Sequence, residues 1–358
     1  MAQRIVNIGV SFGPLRRLHD GLGEFSLQLG KRLAARAPEL AERHGIRFHF
    51  HTRKERFGLF GDTVRYVEMR DVERMVHLSR TRFDLWHRMN QDIAHRPPFG
   101  TRCSLVTVHD LNYEHTKRGV SRMVHSFKGR LKLAGTDQVV TDTRFVVGDV
   151  RDRAKYRGPI ETIHLGARSL VDDPREPVEG IEPGSYLFHI SRMAPSKNIG
   201  SVLGLAAIWP EQRFVLSGPA GGSVDAVHAE VEKRGLPNVR VLRGVSEPEK
   251  AWLFANCAGF LFPSFTEGFG LPPLEAMHFG KPAFLSTLTC LPEIGGDVAS
   301  YFRDFEPSSM RRVVEEGLAA ARQPGRADAI RRQAARFSWD ACTDAYLALY
   351  LRLTGVAA

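Results

Sequence analysis

The second half of the chain constrains the fold most. Five short, nearly all-apolar runs recur there: YLFHIS (186–191), RFVLSG (213–218), VRVLRG (239–244), AGFLFPS (258–264) and KPAFLS (281–286). Helix-like segments at 198–209, 224–235, 247–257, 271–279 and 306–323 separate them. Strands apolar on both faces, alternating with helices, belong to parallel sheets covered on both sides. The first half shows the same alternation less cleanly. Strand patterns fall at 4–12, 46–50, 63–69, 103–108, 138–143 and 160–165, and helical ones at 22–37, 120–134 and 144–156. Residues 171–185 hold three prolines, two glycines and five acids, the composition of a boundary. A chain of 358 residues is long enough for two cores. The expectation is an α/β chain of two Rossmann-like lobes with an interlobe cleft. One lobe is 1–175 plus a closing helix at 338–358, the other 183–337.

Composition narrows the function classes. Net charge is +10, which favours an acidic partner. No zinc-finger spacing, basic zipper or RNP-like strand is present, so nucleic acid is not expected. The four cysteines include no C-x-x-C pair and read as reduced, buried thiols. No His/Cys/carboxylate cluster has metal-ligand spacing along the sequence. No run of about 18 apolar residues occurs, so any membrane contact is expected to be peripheral. The opening residues lack a signal-peptide pattern. A cytoplasmic protein is expected, peripheral on the inner membrane face.

Several segments could carry chemistry. In FLFPSFTEGFGLPPLEAMHF (260–279) a strand runs into a Gly-flanked loop and a Pro-started helix. Such a helix N-terminus suits a diphosphate. Glu267 and Glu275 are eight residues apart and could accept sugar or ribose hydroxyls, although a first-turn carboxylate also simply stabilises a helix dipole. In ISRMAPSKNI (190–199) Arg192 and Lys197 could clamp a diphosphate or stand solvated in a loop. Gly21 and Gly23 follow the first strand pattern, as a ligand-approach loop or a plain helix start. His109 and Asp110 stand at a strand end, where a lone histidine is as often structural. Gly218–Gly222 and TCLPEIGG (289–296) are weaker candidates.

Taken in order, three segments resemble the retaining glycosyltransferases of the GT-B fold, family 4 (group 1), mannosyltransferase-like members included. FPSFTEGFGLPPLEAMHFGKP is similar to that family's E-x₇-E region. LTCLPEIGGDVASYF is similar to the stretch that follows it, and YLFHISRMAPSKNI to its Arg/Lys segment. The resemblance implies that Arg192 and Lys197 hold the donor pyrophosphate and that Glu275 binds the ribose. It places Glu267 under the sugar and sets amides of Gly268, Phe269, Gly270 and Leu271 against donor oxygens. It also implies that Gly21 and Gly23 approach the phosphates and that His109 meets the transferred sugar. Catalysis would then rest on His109, Glu267, Arg192 and Lys197. Ser191 stands where the family usually has Gly, and the first loop reads D-G-L-G. The H-D-L of 109–111 tilts the donor toward GDP-mannose over a UDP-sugar. Phe337-Ser338-Trp339 implies a closing helix that returns to the N-terminal lobe.

The implied reaction is hexose transfer from a nucleotide-sugar to a glycan or lipid-linked acceptor in surface polysaccharide or lipopolysaccharide synthesis, with retention, no cofactor and no metal. Basic stretches at 43–56 and 116–132 could face an anionic membrane. The rivals are a nucleotide-sugar epimerase or hydrolase of the same architecture and a non-catalytic glycosyltransferase-like subunit.

Overall fold

The apolar alternation folds as two parallel sheets. A computed structural model describes residues 4–15, 21–111, 127 and 129–357. It divides into two compact units, Met1–Gly166 with Ser338–Ala358, and Ala167–Phe337. The Pro/Gly-rich stretch 171–185 thus lies inside the second unit, because the chain crosses earlier, at Gly166.

The first unit holds strands β1 (Val6–Gly13), β2 (Ile46–Thr52), β3 (Arg65–Glu68), β4 (Leu85–Arg88), β5 (Ser104–Val108), β6 (Gln138–Thr141) and β7 (Ile160–Thr162). Their order is β3-β2-β1-β4-β5-β6-β7. Helices α1 (Gly21–His44) and α2 (Arg144–Asp152) flank the sheet. The expected basic helix at 120–134 lies largely outside the described residues.

The apolar pattern missed β4, although it sits beside β1 near the centre of the sheet. Its inward groups are polar, and His87 is bonded at both ring nitrogens. His87 Nδ1 lies 2.6 Å from Tyr350 Oη and its Nε2 2.8 Å from Thr107 Oγ1. Arg88 donates to the Lys132 carbonyl and to Thr136 Oγ1, both at 3.0 Å. A strand of buried polar groups does not register as an apolar run.

The second unit holds β8 (Tyr186–Ile190), β9 (Arg213–Gly218), β10 (Val239–Arg243), β11 (Gly259–Phe262), β12 (Ala283–Ser286) and β13 (Ser300–Phe302), in the order β10-β9-β8-β11-β12-β13. Its helices are α3 (Ile199–Ala207), α4 (Gly222–Arg234), α5 (Glu247–Asn256), α6 (Leu271–His278), α7 (Leu291–Gly295), α8 (Pro307–Ala321) and α9 (Arg326–Ala335). One core face packs Leu187, Phe214, Leu216, Leu261 and Phe284 from the strands against Val202, Leu203, Met310 and Val314 from the helices. Burying each such side chain contributes about 1.5–3 kcal/mol.

The last helix, α10 (Trp339–Thr354), belongs to the first unit. Ser338 Oγ caps it by accepting the Ala341 N–H at 3.1 Å, and Gly355 ends it at φ +69°. Tyr346 Oη lies 2.8 Å from Thr107 Oγ1 on β5, and Arg32 and Arg36 of α1 pair with Asp340 and Asp344.

Candidate active site

In the second unit, strand order reverses between β8 and β11. Open α/β sheets bind ligands at such a switch point, beyond the strands' carboxyl ends. The two most informative sequence segments leave the sheet there: 191–198 after β8 and 263–270 after β11.

The two loops are fastened to each other. Phe265 N–H donates to the Ser196 carbonyl at 2.8 Å, and Asn198 Nδ2 donates to the Pro263 carbonyl at 3.2 Å. Lys197 Nζ donates to Glu267 Oε1 at 2.5 Å and stands 5.3 Å from the centre of the Phe262 ring. Both partners are mostly buried, with side-chain exposures of 14% and 11%. Arg192 is exposed and makes no ion pair or hydrogen bond among the described residues. Two cations therefore rise from one loop, one tied to a carboxylate and one free to receive an anion.

Burial and hydrogen bonding build the turn that carries Arg192. His189 Nδ1 lies 2.8 Å from the Leu261 carbonyl, which only accepts, so Nδ1 carries the hydrogen. Its Nε2 then accepts from Ser191 Oγ at 2.7 Å, and Ser191 Oγ accepts the Met193 N–H at 3.0 Å. Burial pulls His189 down to about 4, so the ring is neutral at neutral pH. Met193 sits at φ +50°, Asn198 at +54° and Thr289 at +56°. These three are unusual for residues with a side chain, and all lie beyond the carboxyl ends of β8 or β12.

The far wall comes from the β12–α7 connection, which the sequence offered as a weaker candidate. Thr289 Oγ1 accepts the Glu267 N–H at 3.2 Å. The Cys290 thiol donates to the Phe269 carbonyl at 3.0 Å, and Ser286 Oγ to the Ser264 carbonyl at 2.6 Å. Burial, with Glu267 nearby, raises the Cys290 thiol well above its usual range, so it pins the loop and does not act as a nucleophile. Gly270 precedes α6 at φ +111°, and a Cβ there would meet Leu291 Cδ2 at 3.1 Å. Pro272 and Pro273 carry no N–H, so at the start of α6 the N–H donors are those of Gly270 and Leu271.

Glu275 lies on α6 and pairs with Lys250 of α5 at 3.0 Å, a partner sequence reasoning did not single out. Burial disfavours charge on Lys250, but Glu275 and Glu247 outweigh it and raise its pKa. Glu275 is therefore held in place by the Lys250 ammonium.

In the first unit, Gly21 and Gly23 are the first and third residues of α1. No described atom lies within 4 Å of a Cβ built on Gly21. His109 follows β5 and is buried. Its Nδ1 lies 2.6 Å from Asp142 Oδ2 and its Nε2 2.9 Å from the Met89 carbonyl. Burial opposes its charge, but the Asp142 carboxylate prevails and raises its pKa. Both ring nitrogens are engaged, so Nε2–H reaches a ligand only by leaving Met89.

Residues 174–300 match the family model described as glycosyl transferases group 1. The O-antigen chain mannosyltransferase B of Escherichia coli is 27% identical over 92% of this chain and 95% of that protein. A D-inositol 3-phosphate glycosyltransferase of Mycobacterium avium is 28% identical over 62% of this chain and 58% of its own. Among solved structures, a sucrose-phosphate synthase from Thermosynechococcus elongatus superposes with a TM-score of 0.72 at 18% identity, over 98% of this chain and 99% of that one. HepE from Anabaena, in complex with UDP and glucose, superposes at 0.68 and 14% identity, covering 96% and 99%. These structural likenesses concern the GT-B fold of two parallel-sheet domains.

Proposed function

We propose that this chain, a glycosyltransferase whose residues 174–300 carry the group 1 domain, moves a hexose, with mannose favoured, from a nucleotide-sugar to a glycan or lipid-linked acceptor. The full-length likeness to an O-antigen chain mannosyltransferase supports mannose and surface polysaccharide. The observation that carries the reading is the Lys197–Glu267 pair at the β8/β11 switch point with an unpaired Arg192 on the same loop.

The donor's anomeric C–O bond breaks and the electron pair leaves on the β-phosphate. Arg192 takes that charge bidentately, Lys197 takes it as a point charge, and the Gly270–Leu271 amides and dipole of α6 add to it. One preorganised donor of this kind contributes roughly 3–4 kcal/mol. Glu267, fixed by Lys197 and Thr289, lies under the sugar with the amides of Gly268 and Phe269. Glu275, fixed by Lys250, accepts the ribose hydroxyls. Gly21 and Gly23 serve the phosphates, and His109, held by Asp142, serves the sugar. The acceptor oxygen attacks on the face the diphosphate leaves, and its proton passes to the leaving oxygen. Configuration is retained, and no metal takes part in the transfer.

The first unit is assigned the acceptor and a peripheral seat on anionic lipid. Val72, Met75, Val76, Leu78 and Phe99 are exposed there, Met75 and Leu78 each 77% and Phe99 89%. Exposed Arg70, Arg74, Arg80, Arg82 and Arg96 surround them, against an exposed Asp71. Apolar side chains ringed by arginines match an anionic bilayer surface. No described helix is long and apolar enough to cross a membrane.

The decisive experiment is thermal shift with GDP-mannose and UDP-, ADP- and dTDP-sugars, followed by NMR of the product's anomeric proton. GDP-mannose should raise Tm most, and the α-linked donor should give an α-linked product. Equal silence from all four donors, or a β-linked product, would overturn the reading.

A further inference from the structure

The carboxyl edge of the first unit's sheet encloses a polar cluster that sugar transfer does not use. His51 comes from β2, Glu73 from the 3-10 turn Asp71–Arg74, and His77 follows four residues later. All three are buried, and one ligating atom from each lies within 4.8 Å of the others. The sequence conceals the group because the second residue stands 22 positions beyond the first. Spacing along the chain cannot reveal donors that the sheet edge gathers.

Both imidazoles are oriented from behind. His51 Nδ1 lies 2.9 Å from Ser11 Oγ, and His77 Nδ1 lies 2.9 Å from the Arg96 carbonyl. That carbonyl only accepts, so the His77 hydrogen sits on Nδ1. Each Nε2 then faces the Glu73 carboxyl: His51 at 2.8 Å from Oε2, His77 at 3.7 Å from Oε1. The second separation is too long for a hydrogen bond. Outer nitrogens bonded and inner nitrogens converging on a carboxylate is how metal-bound histidines are held.

A further observation points the same way. His95 is also buried; its ring centre is 5.9 Å from that of His51, and its Nε2 has no hydrogen-bond partner among the described residues.

We propose that His51, Glu73 and His77 bind one zinc ion. Two imidazoles and a carboxylate suit zinc's nitrogen and oxygen preference, and water completes the tetrahedron beside the unpartnered His95. Bonds of about 2.0–2.2 Å in a tetrahedron set donors about 3.3 Å apart, so small shifts of the pairs above suffice. The ion would fasten the 71–77 segment to the sheet edge. The proposal is independent of the transferase reading and stands or falls without it.

The test uses the whole chain, purified without a chelate resin, stripped with EDTA, dialysed against zinc chloride and freed of excess by gel filtration. Mass spectrometry should find about one zinc per chain, and Tm should rise by a few degrees over the stripped protein. Glu73→Gln and His77→Asn, which keep the local shape, should bind less than about a tenth as much zinc. Cobalt(II) in the wild type should give the intense visible bands of a tetrahedral site, which keeps the proposal testable if a variant fails to fold. Absence of stoichiometric zinc in the wild type, retention of zinc by the folded variants, or an octahedral cobalt spectrum would each overturn it.

Discussion

The Lys197–Glu267 pair shows how one contact can serve two purposes. At 2.5 Å and mostly buried, it fixes both side chains, and removing one partner leaves the other desolvated and alone. Lys197→Ala should lower kcat at least about tenfold, the loss of a transition-state donor, with circular dichroism unchanged. Turnover within twofold of wild type would reject the role. The Lys250–Glu275 pair differs, because Lys250 touches no proposed donor atom and acts through Glu275. Lys250→Ala should raise the donor KM about tenfold, an effect worth ~1.4 kcal/mol, while kcat changes little. A fall in kcat with an unchanged KM would contradict a positioning role. Glu267, Glu275, Arg192 and Lys197 were legible in the sequence because each sits in a strand–loop–helix pattern. Lys250 was not, because a lysine in a helix registers as a solvated charge until the fold sets a carboxylate 3.0 Å away.

At the scale of elements, the switch point was legible because β8 and β11 are buried on both faces and read as apolar runs. The turn after β8 was less so, since Ser191 appears only as a missing glycine. In the structure the serine links His189 to the Met193 N–H and so holds Met193 at φ +50°. Ser191→Ala should cost about 1 kcal/mol, the net value of a buried hydrogen bond, and lower Tm by about 2–4 °C. The same link makes the unit acid-sensitive. His189 has a folded pKa of about 4 against an unfolded value of 6.5. The unfolded state therefore binds more protons, so this stability is present above pH 6.5 and is lost as pH falls through 4. Urea unfolding at pH 5 should show His189 costing about 2 kcal/mol relative to pH 7, and His189→Asn should flatten that dependence. An equally steep profile in the variant would assign the acid sensitivity elsewhere. His87, whose burial lowers it to about 3, adds the same sign in the other unit.

For the molecule as a whole, charge and exposed apolar surface argue together. A net charge of +10 says only that acidic partners are favoured. The sequence located that preference at 43–56 and 116–132, and residues 116–126 and 128 of these lie outside the described residues. Within 43–56, Arg43 is paired with Glu39 and Arg53 with Asp71. The segment 70–82 makes the stronger surface, and its pattern explains why the sequence hid it. Glu73 and His77 turn inward while Val72, Met75, Val76 and Leu78 turn outward, which inverts the usual order of polar and apolar. The Phe99 N–H bonds to the His77 carbonyl at 2.8 Å, which adds a fifth apolar side chain to the same patch. Arg70 and Arg74 are paired with Glu68 and Asp71; Arg80, Arg82 and Arg96 each contribute about 1 kcal/mol near an anionic leaflet, with the apolar group adding depth. The chain should sediment with phosphatidylglycerol vesicles, bind phosphatidylcholine weakly, and dissociate at about 0.5 M salt, where the Debye length falls below ~5 Å. Met75→Ser with Leu78→Ser and Phe99→Ser should weaken vesicle binding about tenfold and leave turnover on a soluble acceptor unchanged. Should the triple variant instead abolish a concentration-dependent dimer seen by ultracentrifugation, with vesicle binding intact, the patch would be a seam between copies and the lipid assignment would fail.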